Sequence, residues 1–581
     1  MNKNAAALIA LALSTTALAQ TGQQTKVPPA ATQAQPAPAQ AGTQAATPAA
    51  PAKPSAAELN ARLAQPLPAD QAAMKAHVLF LASDAMKGRE AGSPEYDIAA
   101  QYVAAQFYAA GLKPGGDEGG YLQQVPLVGY KLADKGDASW TPQGGRAQAL
   151  VFGEDFVPSA NPARADTQVS GPVVFVGHGI DAPQYQHDDF AGVDVRGKIV
   201  AFVSGAPARF GGEERAFFGT PASKLRAAAA RGAVGAIQIG GGRQGSLATL
   251  AQGYDRVRMT WARPDGTGAV ESPGTPLLGT IGQAGAAKLF AGAATPWKTV
   301  AAEMAKPDPK FRAVPLSGVL TVASKTGFTP VRSSNVIGMI PGSDPKVGKE
   351  VVVLSAHLDH IGVGKPVEGD AINNGALDNA IGIASLIEEA KRFTASGDAP
   401  KRTVMFLAVT AEEKGLVGAD YFANNPTVPA ANIVADVNLD MPMLLYPFED
   451  MVVYGAERST LGPIVRRAAA SAGVGISPDP MPEQGIFVRS DHFRFVQKGV
   501  PSVFLWPGQK GPGKAAVERF MSTNYHKPSD DLAQPIMWDQ GVRFVDINYR
   551  IAREIADGAE RPVWNKGDYF GTLYKGPMAS R

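Results

Sequence analysis

The sequence predicts an α/β fold: a mixed, largely parallel central sheet flanked by helices, with a mainly β domain inserted into it. Two observations carry this prediction. Continuous apolar runs alternate with helical patterns in the second half of the chain, and a stretch of short apolar runs separated by turn residues precedes them. Continuous apolar strands are typical of a sheet buried on both faces. The 581 residues suffice for more than one domain.

The first residues predict a secretory signal peptide over residues 1–19. Lys3 precedes an apolar run of about ten residues, and Ala17-Leu18-Ala19 offers a small-residue cleavage site. Residues 20–55, rich in Pro, Ala, Gln and Thr, are too poor in large apolar groups to fold and predict a disordered linker. We therefore expect a periplasmic or secreted protein with no membrane contact beyond the signal peptide.

The next part of the chain predicts helices and then a β module. Helical spacing runs through "AAELNARLAQPL", "DQAAMKAHVLFLASDAMKG" and "YDIAAQYVAAQFYAAGL". Short apolar runs such as "GPVVFVGHGI", "GKIVAFVSG" and "GAVGAIQIGGG" follow, with one Ala-rich helix, "ASKLRAAAARG". The predicted insertion spans 166–305, which leaves a discontinuous main domain over 56–165 and 306–581.

The main domain then supplies its predicted parallel strands. They are "EVVVLSAH", "RTVMFLAVTAEE", "NIVADVNLDM" and "VPSVFLWPG", and helical patterns occur at "AIGIASLIEEAKRF" and "LGPIVRRAAASAG". In open α/β sheets the ligand site lies beyond the carboxyl ends of the strands. The polar residues that follow these strands, or lie in the loops after them, are His357, Asp359, His360, Asp378, Glu412, Glu413, Asp440 and His526.

Each of these residues also has an ordinary structural explanation. An Asp before a helix, such as Asp378, commonly caps it. Adjacent glutamates such as Glu412 and Glu413 usually lie in a solvated turn. A single histidine is more often a core or loop residue than a ligand. Independent groups, however, have no reason to gather at successive strand ends, so the set as a whole predicts a site.

The chemistry of the set predicts a metal site. It combines imidazoles and carboxylates, and the chain contains no cysteine, which suits zinc, with cobalt or manganese as possible substitutes. Asp378, Glu413 and Asp440 bring three negative charges, and a bridging hydroxide would bring a fourth, which balances two divalent cations. A carboxylate can also bridge two such cations.

Two further carboxylates are predicted to support this site. Asp359 lies two residues from His357, so in an extended segment both side chains share a face, and the carboxylate could hold the second imidazole nitrogen. Glu412 and Glu413 face differently if they are consecutive in an extended turn. One of them can then bind a metal while the other acts as a general base.

These residues resemble those of metallopeptidase family 28, the co-catalytic zinc aminopeptidases that include bacterial leucyl aminopeptidases and the glutamate carboxypeptidase II branch. The resemblance rests on "AHLDHIG", "NNGALDNAIG", "TAEEKGLVGA", "NLDM", "RSDHFRFVQKGVP" and "YHKPSDD", in that order, and covers about Ala72 to Trp564 except the insertion. The insertion resembles a protease-associated (PA) domain through "GHGI", "DVRGKIVAFVSG" and "ASKLRAAAARGAVGAI".

The resemblance implies a zinc-exopeptidase fold and assigns roles to the residues. It implies two Zn²⁺ per chain, one held by His357 and Asp440 and the other by Glu413 and His526, with Asp378 bridging. Asp359 would support His357, and Glu412 would be the general base. The implied activity is that of a metallo-aminopeptidase acting on peptides with a free N-terminus. The family often has a Tyr near "SDH", whereas this chain has Phe487 and Arg489 there, which leaves Tyr525 or Arg489 as oxyanion donors.

Two alternatives share the ligand set. One is a glutaminyl cyclase or glutamate carboxypeptidase-like enzyme on the same fold, and the other is a non-catalytic binding or receptor-like module. The balance of 55 basic against 53 acidic residues gives no reason to expect nucleic acid as a partner. The sequence does not indicate an oligomeric state.

Several remaining residues receive secondary interpretations. His360, Asp491 and His492 are predicted to be structural groups at the rim of the site, since the ligand set is complete without them. His178 and His187, in the insertion, are predicted to be surface or turn residues. Arg89 is predicted either to bind a substrate carboxylate or to form an ion pair at a helix end.

Overall fold

The computed structural model describes residues 55–240 and 246–580. The predicted signal peptide, and the predicted linker up to residue 54, lie outside these residues. Among the helices of the described segments, none is both long and apolar enough to cross a membrane.

A mixed sheet with a parallel centre forms the middle of the main domain, which confirms the predicted α/β fold. Neighbouring strands of the central block are parallel, and the next strand on either side is antiparallel to it. From edge to edge the sheet contains Arg258–Trp261, Leu122–Leu132, Val314–Ile340, Thr403–Val409, Val351–His357, Ile433–Asn438, Ser502–Pro507, Asp450–Tyr454 and Gly475–Ser477. The short strand Lys113–Pro114 also pairs with Val314–Ile340.

Helices cover both faces of this sheet because its central strands are apolar on both sides. Every residue of Val351–His357 is buried. Val352 and Leu354 belong to one apolar cluster, and Val351 and Val353 to another, as the alternation of a strand requires. The first cluster is covered mainly by the helices Ala69–Leu81, Pro94–Ala109, Ile381–Ala395, Leu461–Ser471 and Trp538–Asp557, and the second by Val417–Asn424 and His492–Val496.

A second sheet forms the inserted module. Its strands, in spatial order, are Gln148–Ala149, Asp137–Pro142, Val314–Ile340, Asp166–Phe175, Ile199–Val203, Gly235–Ile239, Leu277–Ile281 and Phe156–Pro158. Helices Pro221–Ala230, Gln283–Leu289 and Trp297–Met304 accompany it. This sheet has a core of its own, in which Trp140, Phe175 and Leu320 are buried together.

The module extends beyond the predicted insertion limits of 166 and 305. Strands Asp137–Pro142 and Phe156–Pro158 precede residue 166, and the first half of Val314–Ile340 follows residue 305. The second half of that long strand pairs with Leu122–Leu132 and Thr403–Val409 in the main sheet. One strand therefore passes through both sheets, so the boundary between them falls inside it, near Lys325, and not in a loop.

Polar contacts join residues within the predicted insertion limits, 166–305, to the rest of the chain at several places. Arg458 of the main domain contacts Glu213 and Glu214 of helix Gly212–Gly219, and it also contacts Asp568 at 2.9 Å. Elsewhere the indole nitrogen of Trp261 donates a hydrogen bond to Asp420 at 2.6 Å. Arg458 is largely buried, so this contact lies at the interior of the interface.

The other described helices are short or lie at the ends of the chain. They are Ala56–Leu63, Leu247–Gln252, Gly513–Thr523 and Tyr569–Leu573. Two small hairpins complete the structure, Val363–Val367 with Asp370–Ile372 and Asp181–Ala182 with His187–Asp188.

Candidate metal centre

The carboxyl ends of three neighbouring parallel strands position the site. His357 is the last residue of its strand, Asp440 follows Ile433–Asn438, and Glu412 and Glu413 follow Thr403–Val409. Asp378 lies in the turn that leads into helix Ile381–Ala395. Because parallel strands end at the same edge of the sheet, these side chains meet there, as the sequence predicts.

The first group of ligand atoms surrounds the ring of His357. Its Nε2 lies 3.3 Å from Oδ1 of Asp378 and 3.2 Å from Oδ1 of Asp440. All three side chains are buried. The other ring nitrogen, Nδ1, lies 3.1 Å from the backbone carbonyl of Asp359 and can only donate to it. His357 therefore presents an unprotonated Nε2 to the two carboxylates when its ring is neutral.

The second group surrounds the carboxylate of Glu413. Nε2 of His526 lies 3.2 Å from Oδ2 of Asp378 and 3.1 Å from Oε2 of Glu413. Nδ1 of His360 lies 2.7 Å from Oε1 of Glu413. The sequence analysis placed His360 at the rim of the site, and this position was wrong, because the residue is fully buried beside Glu413.

Asp378 connects the two groups. Its Oδ1 faces His357, and its Oδ2 faces His526. One carboxylate thus directs a separate oxygen towards each set of ligands, which is the arrangement that a bridging carboxylate requires. No hydrogen bond from its side chain caps the following helix, so the ordinary explanation of Asp378 as a helix cap does not hold.

The donor atoms fit divalent cations. His357, Asp378 and Asp440 form one set in which a ligand atom of each residue lies within 4.8 Å of the others, and His360, Asp378 and Glu413 form a second. Nδ1 of His360 and Oε1 of Glu413 are buried and close together, yet among the described residues neither has an aligned hydrogen-bond partner. Nitrogen and oxygen atoms that converge without hydrogen bonding match the ligands that zinc prefers where cysteine is absent.

The carboxylate of Asp359 does not hold the ring of His357, contrary to the sequence prediction. Its Oδ1 accepts a hydrogen bond from the backbone N–H of Glu412 at 2.9 Å, and its Oδ2 accepts one from that of Glu413 at 3.3 Å. The backbone carbonyl of the same residue binds the ring instead. Asp359 therefore fixes the loop that carries both glutamates.

The segment 374–378, which presents Asp378, is held from two sides. Arg89 donates hydrogen bonds to the carbonyls of Asn374 at 2.6 Å and Gly375 at 3.1 Å. On the other side, the carboxylate of Asp530 accepts the backbone N–H groups of Leu377 at 2.9 Å and Asp378 at 3.0 Å.

The clamp residue Arg89 is itself fully buried, and it also binds the carbonyls of Leu81 and Leu358. Both predictions for this residue, a substrate contact and a helix-end ion pair, were wrong. Its guanidinium instead ties the loop after the His357 strand to the loop before Asp378.

Glycine is required within this segment. Gly375 has φ +62°, and a Cβ there would lie 2.7 Å from the ring of His360 and 2.1 Å from the carbonyl oxygen of Asp378. A Cβ on Gly382 would lie 2.0 Å from the side chain of Asn379. That side chain donates to the carbonyl of Leu439 and accepts the N–H of Met441, so it links the Asp378 turn to the Asp440 loop. The small residues therefore allow these protein groups to pack closely.

The titration properties follow from burial and crowding of charge. Burial opposes protonation of His357, but the charges of Glu412 and Asp440 and the contacts with Asp378 outweigh it and raise its pKa well above the usual value. Burial and the charge of Asp378 act to raise the pKa of Glu413, but His360 and His526 lower it to about 2. Burial, together with the charges of Glu413 and Asp440, raises the pKa of Glu412 well above the ordinary range despite the opposing effect of His357.

Other groups near the site were missed or placed differently by the sequence analysis. Oγ of Ser490 donates to Oδ2 of Asp440 at 2.6 Å. Tyr525 stacks on His526, with ring centroids 3.8 Å apart, and its hydroxyl accepts a hydrogen bond from Arg489 at 3.4 Å. Asp491 and His492 are fully buried, not at a rim.

In the insertion, His178 lies in a turn, which is one of the two predicted positions, but it is buried there, with Nδ1 3.1 Å from the carbonyl of Ser204. The only signal for Asp530 in the sequence was its position four residues after His526, in "YHKPSDD".

Comparison with known proteins finds one matching family model and several similar proteins. Residues 335–552 match the model of peptidase family M28. The chain is 31% identical over 223 residues to leupeptin-inactivating enzyme 1 of Streptomyces exfoliatus, which covers 36% of the chain and 45% of that enzyme. It is 28% identical over 220 residues to probable leucine aminopeptidase 2 of Aspergillus oryzae, which covers 34% of the chain and 40% of that protein. These matches span less than half the length of each relative.

Among solved structures, the chain is similar to an aminopeptidase from Aneurinibacillus sp. strain AM-1. The two are 20% identical with a TM-score of 0.46, over 84% of this chain and 93% of the other. A zinc aminopeptidase from Bacillus subtilis is 18% identical with a TM-score of 0.42, over 86% of this chain and 98% of the other.

Proposed function

From the match of residues 335–552 to the model of peptidase family M28, we propose that the protein is a zinc-dependent exopeptidase, an aminopeptidase that hydrolyses the N-terminal bond of peptides. One observation carries the proposal: the two oxygens of Asp378 face two separate groups of nitrogen and oxygen ligand atoms. The names of relatives, which include probable leucine aminopeptidase and probable zinc metalloprotease, support the same activity.

Two zinc ions would be held at this site, with cobalt or manganese as possible substitutes. We assign His357 and Asp440 to the first ion and Glu413 and His526 to the second, with Asp378 shared between them. Two zinc ions carry four positive charges and the three carboxylates of this set carry three negative ones. A bound hydroxide would neutralise the remaining positive charge.

His360 is a second candidate imidazole for the ion at Glu413, since its Nδ1 lies 2.7 Å from Oε1 of that residue. Zinc counted in His360→Gln and His526→Gln separates the two roles. The assignment of His526 predicts that only the His526 variant loses an ion, and loss of an ion from only the His360 variant would transfer the assignment to His360.

Zinc bound here would supply the positive charge that polarises the scissile carbonyl and makes water more acidic. Glu412 is the carboxylate beside the site that is not required as a ligand, and its charge acts strongly on His357. We assign it the role of general base, which takes a proton from the attacking water and returns it to the departing amine. Its raised pKa favours proton uptake. Asp359 positions it by binding the backbone of Glu412 and Glu413.

Tyr525 is the better of the two oxyanion donors that the sequence leaves open. Its ring is held against the proposed ligand His526, and Arg489 donates to its oxygen, which leaves the phenol proton free to be donated. The guanidinium of Arg489 is directed to Tyr525 and to the carbonyl of Gln484. Burial and the charge of Asp378 raise the pKa of Tyr525 above its usual value, which keeps the proton on the hydroxyl.

The ligand set alone does not separate an aminopeptidase from a glutaminyl cyclase, a glutamate carboxypeptidase-like enzyme or a non-catalytic module. The test compares leucine p-nitroanilide with its N-acetylated form, each with and without a chelator. We expect cleavage of the free substrate alone, lost on chelation and restored by zinc. Equal cleavage of the blocked substrate would reject the aminopeptidase, and cleavage of neither would favour the other candidates.

Export and domain identity are further parts of the proposal. The signal-peptide pattern of residues 1–19 supports a periplasmic or secreted protein, and the motifs of the inserted module support a protease-associated domain. Proteomic sequencing of the mature amino terminus tests the first, because a start near Gln20 in an exported fraction is expected and an intact Met1 would contradict it.

A further inference from the structure

A cavity of about 580 Å³ lies between the inserted module and the main domain. From within the predicted insertion limits, Ala222 of the module and Arg258 and Trp261 of the edge strand of the main sheet line its wall, and the main domain contributes Lys414, Asp420 and Arg494. The volume lies within the range of sites that hold small molecules or short peptides, about 300 to 1,000 Å³. The residues assigned to the metals and to proton transfer are not part of its wall, so this is a separate site.

The cavity begins directly after the loop that carries Glu412 and Glu413. Lys414 and Gly415 both line it. Since consecutive Cα atoms are 3.8 Å apart, the Cα of Gly415 lies at most about 7.6 Å from that of Glu413. An extended peptide advances about 3.3 to 3.6 Å per residue, so two or three residues cover this distance. A peptide whose first bond lies at the metals therefore has the length to enter the cavity.

The wall of the cavity favours an anionic, partly apolar occupant. Arg258, Lys414, Arg494 and Lys498 contribute four positive charges, and Glu271 and Asp420 contribute two negative ones. Arg494 lies 3.5 Å from Glu271 and 3.9 Å from Asp420, and Lys414 pairs with Glu90 at 2.6 Å. Arg258 and Lys498 are therefore the cations of the wall that no carboxylate of the described residues neutralises.

One of the cations has an unused donor. Arg494 donates to the carbonyl of Gly415 at 3.0 Å, but its Nε is buried and has no hydrogen-bond partner among the residues the structure describes.

From these contacts we propose that the cavity binds the downstream residues of the peptide substrate, with the terminal carboxylate held by the cations of the wall. The inference rests on the proposed aminopeptidase activity and narrows its substrates to oligopeptides of about four or more residues with a free carboxyl terminus. The inserted module then selects substrates by contributing half of this binding site.

Two pairs of matched variants test the proposal. Ala222→Trp fills the cavity, and Ala230→Trp places the same side chain on an exposed position of the same helix outside the wall. Arg258→Glu reverses a charge of the wall, and Arg256→Glu reverses an exposed charge two residues earlier. Arg258 is itself exposed, so its variant is expected to fold even if Ala222→Trp does not.

The readout is the ratio of kcat/KM for leucyl-tetraalanine to kcat/KM for leucine p-nitroanilide, which has no downstream residues. Ala222→Trp and Arg258→Glu should lower this ratio about tenfold, the effect of one contact worth about 1.4 kcal/mol. The carboxyl-terminal amide of the same peptide should be a poorer substrate for the wild-type protein and insensitive to Arg258→Glu. The control variants should keep the wild-type ratio.

A binding measurement separates this inference from the proposed activity. N-acetyl-tetraalanine, which cannot be cleaved as a free-amine substrate, should bind the wild-type protein in calorimetry, and Arg258→Glu should weaken binding about tenfold. Equal ratios in all variants, or equal use of the acid and the amide, would overturn the cavity as a carboxylate site even if the anilide is hydrolysed. If no substrate is hydrolysed but peptide binding still depends on Arg258, the proposed function is overturned, whereas the assignment of the cavity as a carboxylate-binding site stands.

Discussion

Replacement of Asp530 by Asn tests whether Asp378 is held in place before any metal binds. The two carboxylate oxygens of Asp530 accept the backbone N–H groups of Leu377 at 2.9 Å and Asp378 at 3.0 Å, and the residue is fully buried. The side-chain amide of Asn has only one acceptor oxygen, so one of the two buried N–H groups loses its partner. The hydrogen bond that remains is made to a neutral oxygen and no longer to a charged one. Each of these losses costs about 1 to 3 kcal/mol, so we expect a total loss of stability of about 2 to 6 kcal/mol.

The effect should be visible in zinc binding as well as in stability. Loss of an outer contact to a metal ligand commonly weakens binding about 10- to 100-fold. Competition with a chromophoric chelator measures zinc affinity, and urea unfolding of the chelator-treated protein measures stability.

Asp344→Asn is the matched control for this variant, because Asp344 also accepts two backbone N–H groups, those of Lys346 at 2.7 Å and Val347 at 3.1 Å, but in a turn outside the site. Zinc affinity should be unchanged in the control. Equal zinc affinity of the Asp530 and Asp344 variants would refute the reasoning.

The remaining predictions concern proton transfer, the arginine clamp and buried charge. Glu412→Gln should reduce turnover at least 100-fold while zinc content stays at the wild-type level, by the usual size of general-base effects; unchanged turnover would remove the assignment. Arg89→Lys should lower stability by about 2 to 4 kcal/mol, because an ammonium group cannot reach all four carbonyls; a loss under about 0.5 kcal/mol would contradict this. Glu389→Gln and its neighbour Glu388→Gln should show opposite pH dependence of stability. Burial raises the pKa of Glu389 well above normal, so the wild type loses stability as pH rises from about 4.5 through that raised pKa, and the variant gains relative to it. Burial opposes ionisation of Glu388, but hydrogen bonds with His77 and Lys391 lower its pKa, so its contribution is present above pH about 4.5 and Glu388→Gln should lose stability there. The urea midpoint of each variant is compared with that of the wild type from pH 4 to 8. Differences that change with pH in the same direction in both variants would contradict both assignments.

The central strands and the meeting of the ligand residues could be predicted from the sequence because both depend on simple rules. Unbroken apolar runs such as Val351–His357 occur where a strand is buried on both faces. The ends of parallel neighbours then coincide, which brings His357, Asp378, Glu413 and Asp440 together without knowledge of any loop. Those four residues and His526 lie together in the structure.

The contacts that depend on loop conformation could not be predicted. Asp359 was expected to hold the ring of His357 with its carboxylate, but that carboxylate accepts the backbone N–H groups of Glu412 and Glu413 instead. Arg89 reaches carbonyls that are up to 286 positions away in the chain. Such pairings leave no periodic signal in the sequence.

The extent of the inserted module was hidden for a related reason. The first half of Val314–Ile340 alternates Ser, Thr and Lys with apolar residues, so it carries no unbroken apolar run like those of the central strands. Its two halves belong to different sheets, and the pairing with Asp137–Pro142 joins segments far apart in the chain. The predicted limits of 166 and 305 were placed where the composition changes, whereas the true extent of the sheet is defined by hydrogen bonds between strands.

Zinc titration of the chelator-treated protein, for the wild type and Asp378→Asn, tests the central claim most directly. Bound zinc is counted at each step, and hydrolysis of leucine p-nitroanilide is measured in the same samples. The account predicts two zinc ions per chain in the wild type, and in the variant the loss of at least one ion together with hydrolysis, because an amide cannot supply an anionic oxygen to each ion. A wild-type protein that is fully active with one zinc ion, or an Asn variant that keeps two ions and full activity, would contradict it.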